Sequence, residues 1–142
     1  MKLELGNILL INRSFNLGDL RQVKLRKKLR ASARSQFTLV YITMPSEVQA
    51  KEMARALLEG RLIVCATILP CQSMYWWDGA IQSDQEVIMF VKTVDDKFEQ
   101  LQQVVTKLHS YQVPCILKID AIANAPYAQW VQAELALSRS AD

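Results

Sequence analysis

Residues 62–93 read as one β-hairpin whose arms are far longer than a chain of 142 residues needs for its sheet. Asp78-Gly79 marks the turn, because both central positions of a type I′ turn require positive φ and this pair tolerates it. The ascending run, residues 62–77, is rich in β-branched, aromatic and aliphatic side chains. Unbroken, it would reach about 50 Å at ~3.3 Å per residue, whereas ordinary strands have about five or six residues. Tyr75, Trp76 and Trp77 crowd the tip. A monomer would leave this arm with unpaired backbone and bare rings, so the hairpin predicts partner subunits anchored by those aromatics.

Around the hairpin the periodicity alternates. Residues 37–44 are apolar on both faces, as in a central strand. Pro45 ends that run, and Ser46 with Gln49 forms a capping-box signature for a helix carrying Ala50, Met53, Ala54, Leu57 and Leu58 on one stripe, stopped at Gly60. After the hairpin, Asp95 and Asp96 offer caps to a second helix with Phe98, Leu101, Val104, Val105 and Leu108 at helical spacing, ending near His109. Residues 115–122 read as a fourth strand, and Asn124 with Pro126 opens a last helix that buries Tyr127, Trp130, Val131 and Leu135. Strand, helix, strand twice over, plus a terminal helix, predicts an α+β fold: a ferredoxin-like split βαβ sandwich with a long hairpin arm, helices on one face, assembling through that arm.

Charge divides the chain more than its net +3 suggests. Residues 1–36 carry nine Lys+Arg against Glu4 and Asp19, while residues 37–142 carry eight against twelve acids. The expected organisation is a basic N-terminal extension over 1–36 and a mildly acidic domain over 37–142. Three readings of the extension stand: a disordered segment or misassigned start, an Arg-rich targeting segment, and an arm for nucleic acid or a membrane surface. Phe15 is its only aromatic residue, which argues against single-strand nucleic-acid binding by stacking. No apolar run reaches the ~18–20 residues of a membrane helix. Cys65, Cys71 and Cys115 are odd in number and show no Cys-x-x-Cys spacing, as for reduced thiols in a reducing compartment, the cytoplasm or, with a transit segment, an organelle.

Several groups have two readings each. His109, the sole histidine, is either a weak metal ligand or a hydrogen-bonded residue at a helix C-terminus. Cys65 and Cys71 are core thiols or a soft Cu(I) site, with Pro70 inviting a bulge between them. The hairpin aromatics and Trp130 are interface anchors or a stacking surface for a flat ligand. Glu86 and Lys92 share a strand face, as a salt-bridged or solvated pair. No Gly-rich phosphate loop, HExxH, Gly-x-Ser-x-Gly or Ser/His/Asp arrangement supports catalysis, so the chain reads as a non-enzyme without a required cofactor.

The motifs Thr43-Met44-Pro45, residues 54–62 and 65–70, Ser73-Met74-Tyr75-Trp76-Trp77-Asp78-Gly79, Glu86, Lys92-Thr93, His109-Ser110-Tyr111-Gln112-Val113-Pro114 and Tyr127-Ala128-Gln129-Trp130 occur in the order seen in the CutA divalent-cation tolerance proteins, which residues 37–137 resemble. The resemblance implies a ferredoxin-like subunit in a homotrimer with hairpins pairing across subunits, and association with copper or another divalent cation. It also places Glu86, Lys92 and Tyr111 in a cleft between subunits. Departures fall on polar positions: His-Pro-Tyr becomes His109-Ser110-Tyr111, the acid after Val-Pro becomes Cys115, and the Lys after the turn becomes Ala80. The positions of copper ligands attributed to bacterial members read Ile42 and Leu108-His109 here, so only His109 remains and weak metal binding is expected. An alternative function is a PII-like signalling or assembly module binding a small anionic ligand in intersubunit clefts, which a basic cleft would favour. A Cys/His/carboxylate cluster would favour the metal reading.

Overall fold

A computed structural model of the chain describes residues 20–25 and 37–137. Residues 20–25 form a helical stretch with all six side chains exposed; the rest of the basic extension lies outside the described residues. The domain runs β1 (Phe37–Met44), α1 (Glu47–Glu59), β2 (Cys65–Trp77), β3 (Ala80–Thr93), a 3-10 turn (Asp95–Lys97), α2 (Phe98–Leu108), β4 (Ile116–Ala121) and α3 (Ala125–Ala136). The sheet order is β2-β3-β1-β4 with every pair antiparallel, the split βαβ arrangement expected from the alternation of elements. β1 is central, which accounts for its apolar residues on both faces.

The hairpin is regular throughout. Cys65 faces Lys92 and Trp77 faces Ala80 in one uninterrupted antiparallel register, without the bulge expected at Pro70. β2 is an edge strand, where a residue lacking an N–H can sit with its nitrogen toward the open side. Asp78 and Gly79 have φ of 50° and 76°, the two positive values that a type I′ turn requires. The ascending strand starts at Cys65 rather than at Leu62, because residues 62–64 are occupied in closing the preceding helix.

That closure departs from a simple glycine stop. Gly60 itself has φ −74°, and the left-handed position falls on Arg61 at φ 53°. Leu62 N–H bonds Leu57 O at 2.9 Å and Arg61 N–H bonds Leu58 O at 3.0 Å, the paired bonds of a Schellman ending. The Arg61 guanidinium reaches the Glu134 carboxylate on α3 at 3.3 Å. At the other end of α1, Ser46 accepts from Gln49 N–H at 3.2 Å, but the Gln49 side-chain oxygen takes a hydroxyl from Ser110 instead of reaching back. Asp95 and Asp96 cap nothing: they lie in the 3-10 turn that leads into α2, and Asp95 pairs with Lys118 on β4.

The main core packs the helix-facing side of β1 and β3 (Val40, Ile42, Met44, Val87, Met89, Val91) against Ala50, Met53 and Leu57 of α1 and Leu101 and Val105 of α2. A smaller cluster of Phe37, Val94, Val131 and Leu135 seats α3, with Tyr127 half-buried beside it. Trp130, expected inside, stays on the exposed side of that helix, and Leu58 and Leu108 fall at the exposed margins of their stripes.

The opposite face of the sheet carries only α3, which packs over its Phe37 end, with Tyr127 against Phe37 and under the Lys92 ammonium, so the helices are not confined to one face as expected; the remainder of that face has no helix. Leu39 and Tyr41, Ile88 and Phe90, Leu69, and Leu117 and Ile119 share this side by register, Tyr41 and Phe90 meeting edge-on at 5.5 Å. Leu69, Leu117 and Ile119 are 45%, 52% and 42% exposed.

Two threonines paired across β1 and β3 make a controlled comparison. Thr93 Oγ donates to Leu62 O at 2.6 Å in the core, whereas the buried Thr38 Oγ has no partner among the described residues. Since an unpaired buried hydroxyl is costly and a removed partner strands the other group, Thr38→Val should hold or raise stability and Thr93→Val should lower it by about 1–3 kcal/mol. Urea unfolding of both variants checks this, and equal losses would contradict the assignment.

Candidate functional site

β3 runs on toward the hairpin tip past the end of β1. The last β1 pair is Met44 with Val87, and Pro45 turns the chain away, so Glu86 is the first β3 residue that β1 leaves uncovered. The segment between α2 and β4 fills that vacancy. His109 leaves the helix in extended conformation (φ −72°, ψ 137°), and its ring Nε2–H donates to Thr43 O at 2.7 Å while Nδ1 accepts the Tyr111 N–H at 3.0 Å. Ser110 donates to Gln49 at 2.8 Å, fastening the same segment to α1. Tyr111 then lies against the His109 ring, centroids 5.0 Å apart, and its hydroxyl donates to Glu86 Oε1 at 2.7 Å.

Between this segment and the hairpin lies a cleft of about 540 Å³, lined by Thr43, Tyr75, Trp77, Glu86, Tyr111 and Cys115 among others. Its electrostatics are set by Glu86, which is 7% exposed. Burial, followed by the hydrogen bond to Glu86 and its charge, pushes the Tyr111 phenol well above the ordinary tyrosine range. Burial and then Glu86 raise the Cys115 thiol, and burial with Cys115, Cys71 and Glu86 raises Tyr41. Tyr75 is raised chiefly by its 2.5 Å hydrogen bond to Asp84. Every one of these shifts disfavours negative charge.

Of the residues singled out from sequence, Glu86, Tyr111, Tyr75 and Trp77 converge here, and His109 stands behind them as a positioning residue. His109 is buried with both ring nitrogens engaged by backbone, which removes it as a ready metal ligand: one nitrogen must carry its proton toward Thr43 O and the other is an acceptor already in use. Lys92 is not part of the constellation within one chain. Six residues along a strand displace it by about 20 Å from Glu86; its ammonium sits 3.8 Å from Cys65 Sγ and over the Tyr127 ring. The same spacing separates Cys65 from Cys71, so these thiols cannot share one copper ion within a chain. Trp76 alternates to the other side of the hairpin and is 72% exposed, and Trp130 packs on Tyr127 beside Lys92. The described residues contain no group of three His, Cys, Asp or Glu arranged to hold a metal. Thr43, Ser73, Gln112 and Val113 had no chemical signal of their own, since only their position on converging segments brings them to the cleft.

The Tyr111 shift gives a directional test. Its folded-state value lies above the unfolded value of about 10, so the stabilisation is fully present below pH ~10 and is lost as pH rises through the folded value. Tyr111→Phe should be less stable than wild type at neutral pH yet show a shallower loss above pH ~10. Urea midpoints measured from pH 7 upward check this, and parallel pH profiles would contradict it.

The chain matches the CutA1 divalent ion tolerance protein family over residues 38–134. It is 38% identical over 94 residues to the divalent-cation tolerance protein CutA of Pyrococcus horikoshii, covering 66% of this chain and 92% of that protein. It is 38% identical over 94 residues to protein CutA of Homo sapiens, covering 65% of this chain and 52% of the human protein. The solved structure of the periplasmic divalent cation tolerance protein CutA from Archaeoglobus fulgidus superposes with a TM-score of 0.69 at 35% identity, over 70% of this chain and 98% of that one. The divalent cation tolerance protein Cut A1 from Thermus thermophilus gives 0.65 at 40% identity, over 67% and 94%. With the family match spanning more than half of its length and the expected fold in place, the chain belongs to the CutA1 divalent ion tolerance protein family.

Proposed function

We propose that this protein is a homotrimeric CutA member acting in divalent metal tolerance, copper included, through assembly and weak metal association rather than catalysis. The observation that carries the assembly is the part of the sheet face opposite α1 and α2 that α3 leaves uncovered, where Leu69, Leu117 and Ile119 are exposed around Leu39, Tyr41, Ile88 and Phe90. A contiguous apolar face of this kind marks an interface, and cyclic closure around three copies covers it without leaving one copy's face bare. The exposed Trp76, Trp77 and Trp130 suit the same role as anchors. The trimeric count follows the family resemblance. No helix among the described residues is long and apolar enough to cross a membrane. The three free cysteines support a reducing compartment, the cytoplasm or an organelle. Within one chain the cleft lining carries Glu86 and no Lys or Arg, so the alternative of a small anionic ligand in intersubunit clefts requires its counter-charge from a neighbouring subunit.

Native mass spectrometry of the full chain should show three copies. Leu117→Lys should shift it to monomers with an unchanged circular-dichroism spectrum, whereas a monodisperse wild-type monomer at micromolar concentration would reject the assembly. For metal, titration calorimetry should give weak Cu(II) binding that His109→Ala leaves largely unchanged, while that variant melts at lower temperature because it strands Thr43 O and the Tyr111 N–H. Loss of Cu(II) binding in a His109 variant of undiminished stability would instead make His109 a ligand.

A further inference from the structure

The basic residues of this chain are distributed in a way that neither the sheet nor the cleft uses. Residues 20–34 hold seven Lys or Arg, from Arg21 to Arg34, and no Asp or Glu, whereas residues 37–142 carry eight against twelve acids. The cationic character of the protein is therefore concentrated in one short stretch, joined in sequence to a domain of the opposite sign. Where the structure describes it, over residues 20–25, the backbone is helical and all six side chains are exposed. Among the described residues no carboxylate pairs with Arg21 or Lys24.

Aliphatic side chains are interleaved with those charges. Leu20, Val23 and Leu25 are 47%, 47% and 54% exposed, and Leu29 follows between Lys28 and Arg30. A spacer that only had to stay solvated would gain nothing from them, since apolar area kept in water is unfavourable. Leucines among lysines and arginines suit a boundary instead, where the aliphatic groups enter the edge of an acyl layer and the long cationic side chains remain at the headgroups. Clusters of about four to eight basic residues are drawn to anionic lipid, each residue near the surface adding about fivefold to the partitioning. Nucleic acid is the poorer fit, because residues 20–34 contain no Phe, Tyr, Trp or His on which a base could stack.

We propose that residues 20–34 bind the surface of an anionic phospholipid bilayer, tethering the acidic domain to the membrane without crossing it. The contact uses no residue of the sheet faces or of the cleft, so a single subunit can make it, and an assembly makes it several times over with a gain in avidity.

The test sediments the full-length chain, its intact mass and subunit count read on the same samples, with vesicles of phosphatidylcholine alone and of phosphatidylcholine containing about 30% phosphatidylglycerol. Binding at least about tenfold tighter to the anionic vesicles, and falling steeply between ~0.1 M and ~0.5 M salt, is the expected result. Lys24→Gln, Arg26→Gln and Lys27→Gln together should weaken it at least about tenfold, and Leu20→Ser with Leu25→Ser should weaken it as well, while the circular-dichroism spectrum and the subunit count stay those of wild type. Equal binding to the two vesicles, or binding to neither, overturns the proposal. Anionic-vesicle binding undiminished by the triple substitution also overturns it, because the contact then lies on the domain. Duplex DNA supplies the remaining arm: if it displaces the protein from anionic vesicles at equal phosphate concentration and the leucine substitutions change nothing, the segment serves nucleic acid and the membrane reading fails.

Discussion

Thirteen consecutive cross-strand pairs join β2 to β3, seven join β3 to β1 and six join β1 to β4. The difference in ladder length is the constraint on which the molecule turns. Near Phe37 the four strands share one sheet with a helix-covered core, but beyond Val87 the hairpin proceeds alone. The backbone of the tip is paired within itself by a type I′ turn, so its side chains need not fold back onto the domain. Its tryptophans therefore remain outward, and the flank of β3 opposite the missing β1 becomes available to another segment. Cleft and exposed arm have the same origin.

What fills the vacated flank is held by local bonds of fixed direction. The His109 ring joins a strand carbonyl to an amide two residues ahead of itself, which commits the imidazole to one tautomer and sets the Tyr111 phenol over Glu86. A carboxylate brought into a largely apolar recess in this way biases its surroundings more than the net charge of the chain does. Burial first, and Glu86 after it, raises the neighbouring Tyr111 phenol and Cys115 thiol although the formal charge of the protein is +3. The local field at a recess follows from the few groups that line it, and remote charges act across solvent with screening.

Periodicity made most of the fold legible. The two-residue turn, the central position of Phe37–Met44 and the strand-helix order all follow from patterns that extend over several residues, where one substitution cannot mislead. Features resting on a single side chain were less readable. Gly60 marked the end of α1, yet the left-handed residue was Arg61, because the backbone bonds of Leu62 to Leu57 and of Arg61 to Leu58 place the turn one residue on. Asp95 had the composition of a cap but found Lys118 across the fold. For the site, Glu86 and Tyr111 were legible as residues of interest, but six residues of unbroken strand carry Lys92 about 20 Å from Glu86 within the chain. His109 showed the limit most plainly: a lone histidine after a helix looks alike as ligand or as staple until the partners of its two nitrogens are known.

Pro70 brings one further consequence. It lies within the edge strand β2 and pairs with Val87 in an unbroken register, so its nitrogen faces away from β3 toward the open edge. At that point the edge has no donor to offer an incoming strand. Any chain extending the sheet there must stop short of Pro70 on one side or begin beyond it on the other, at the stretch leading to Trp77. The edge is thus divided into two short templates, and the indefinite strand-upon-strand stacking that a flat thirteen-residue edge would invite is interrupted by a single ring.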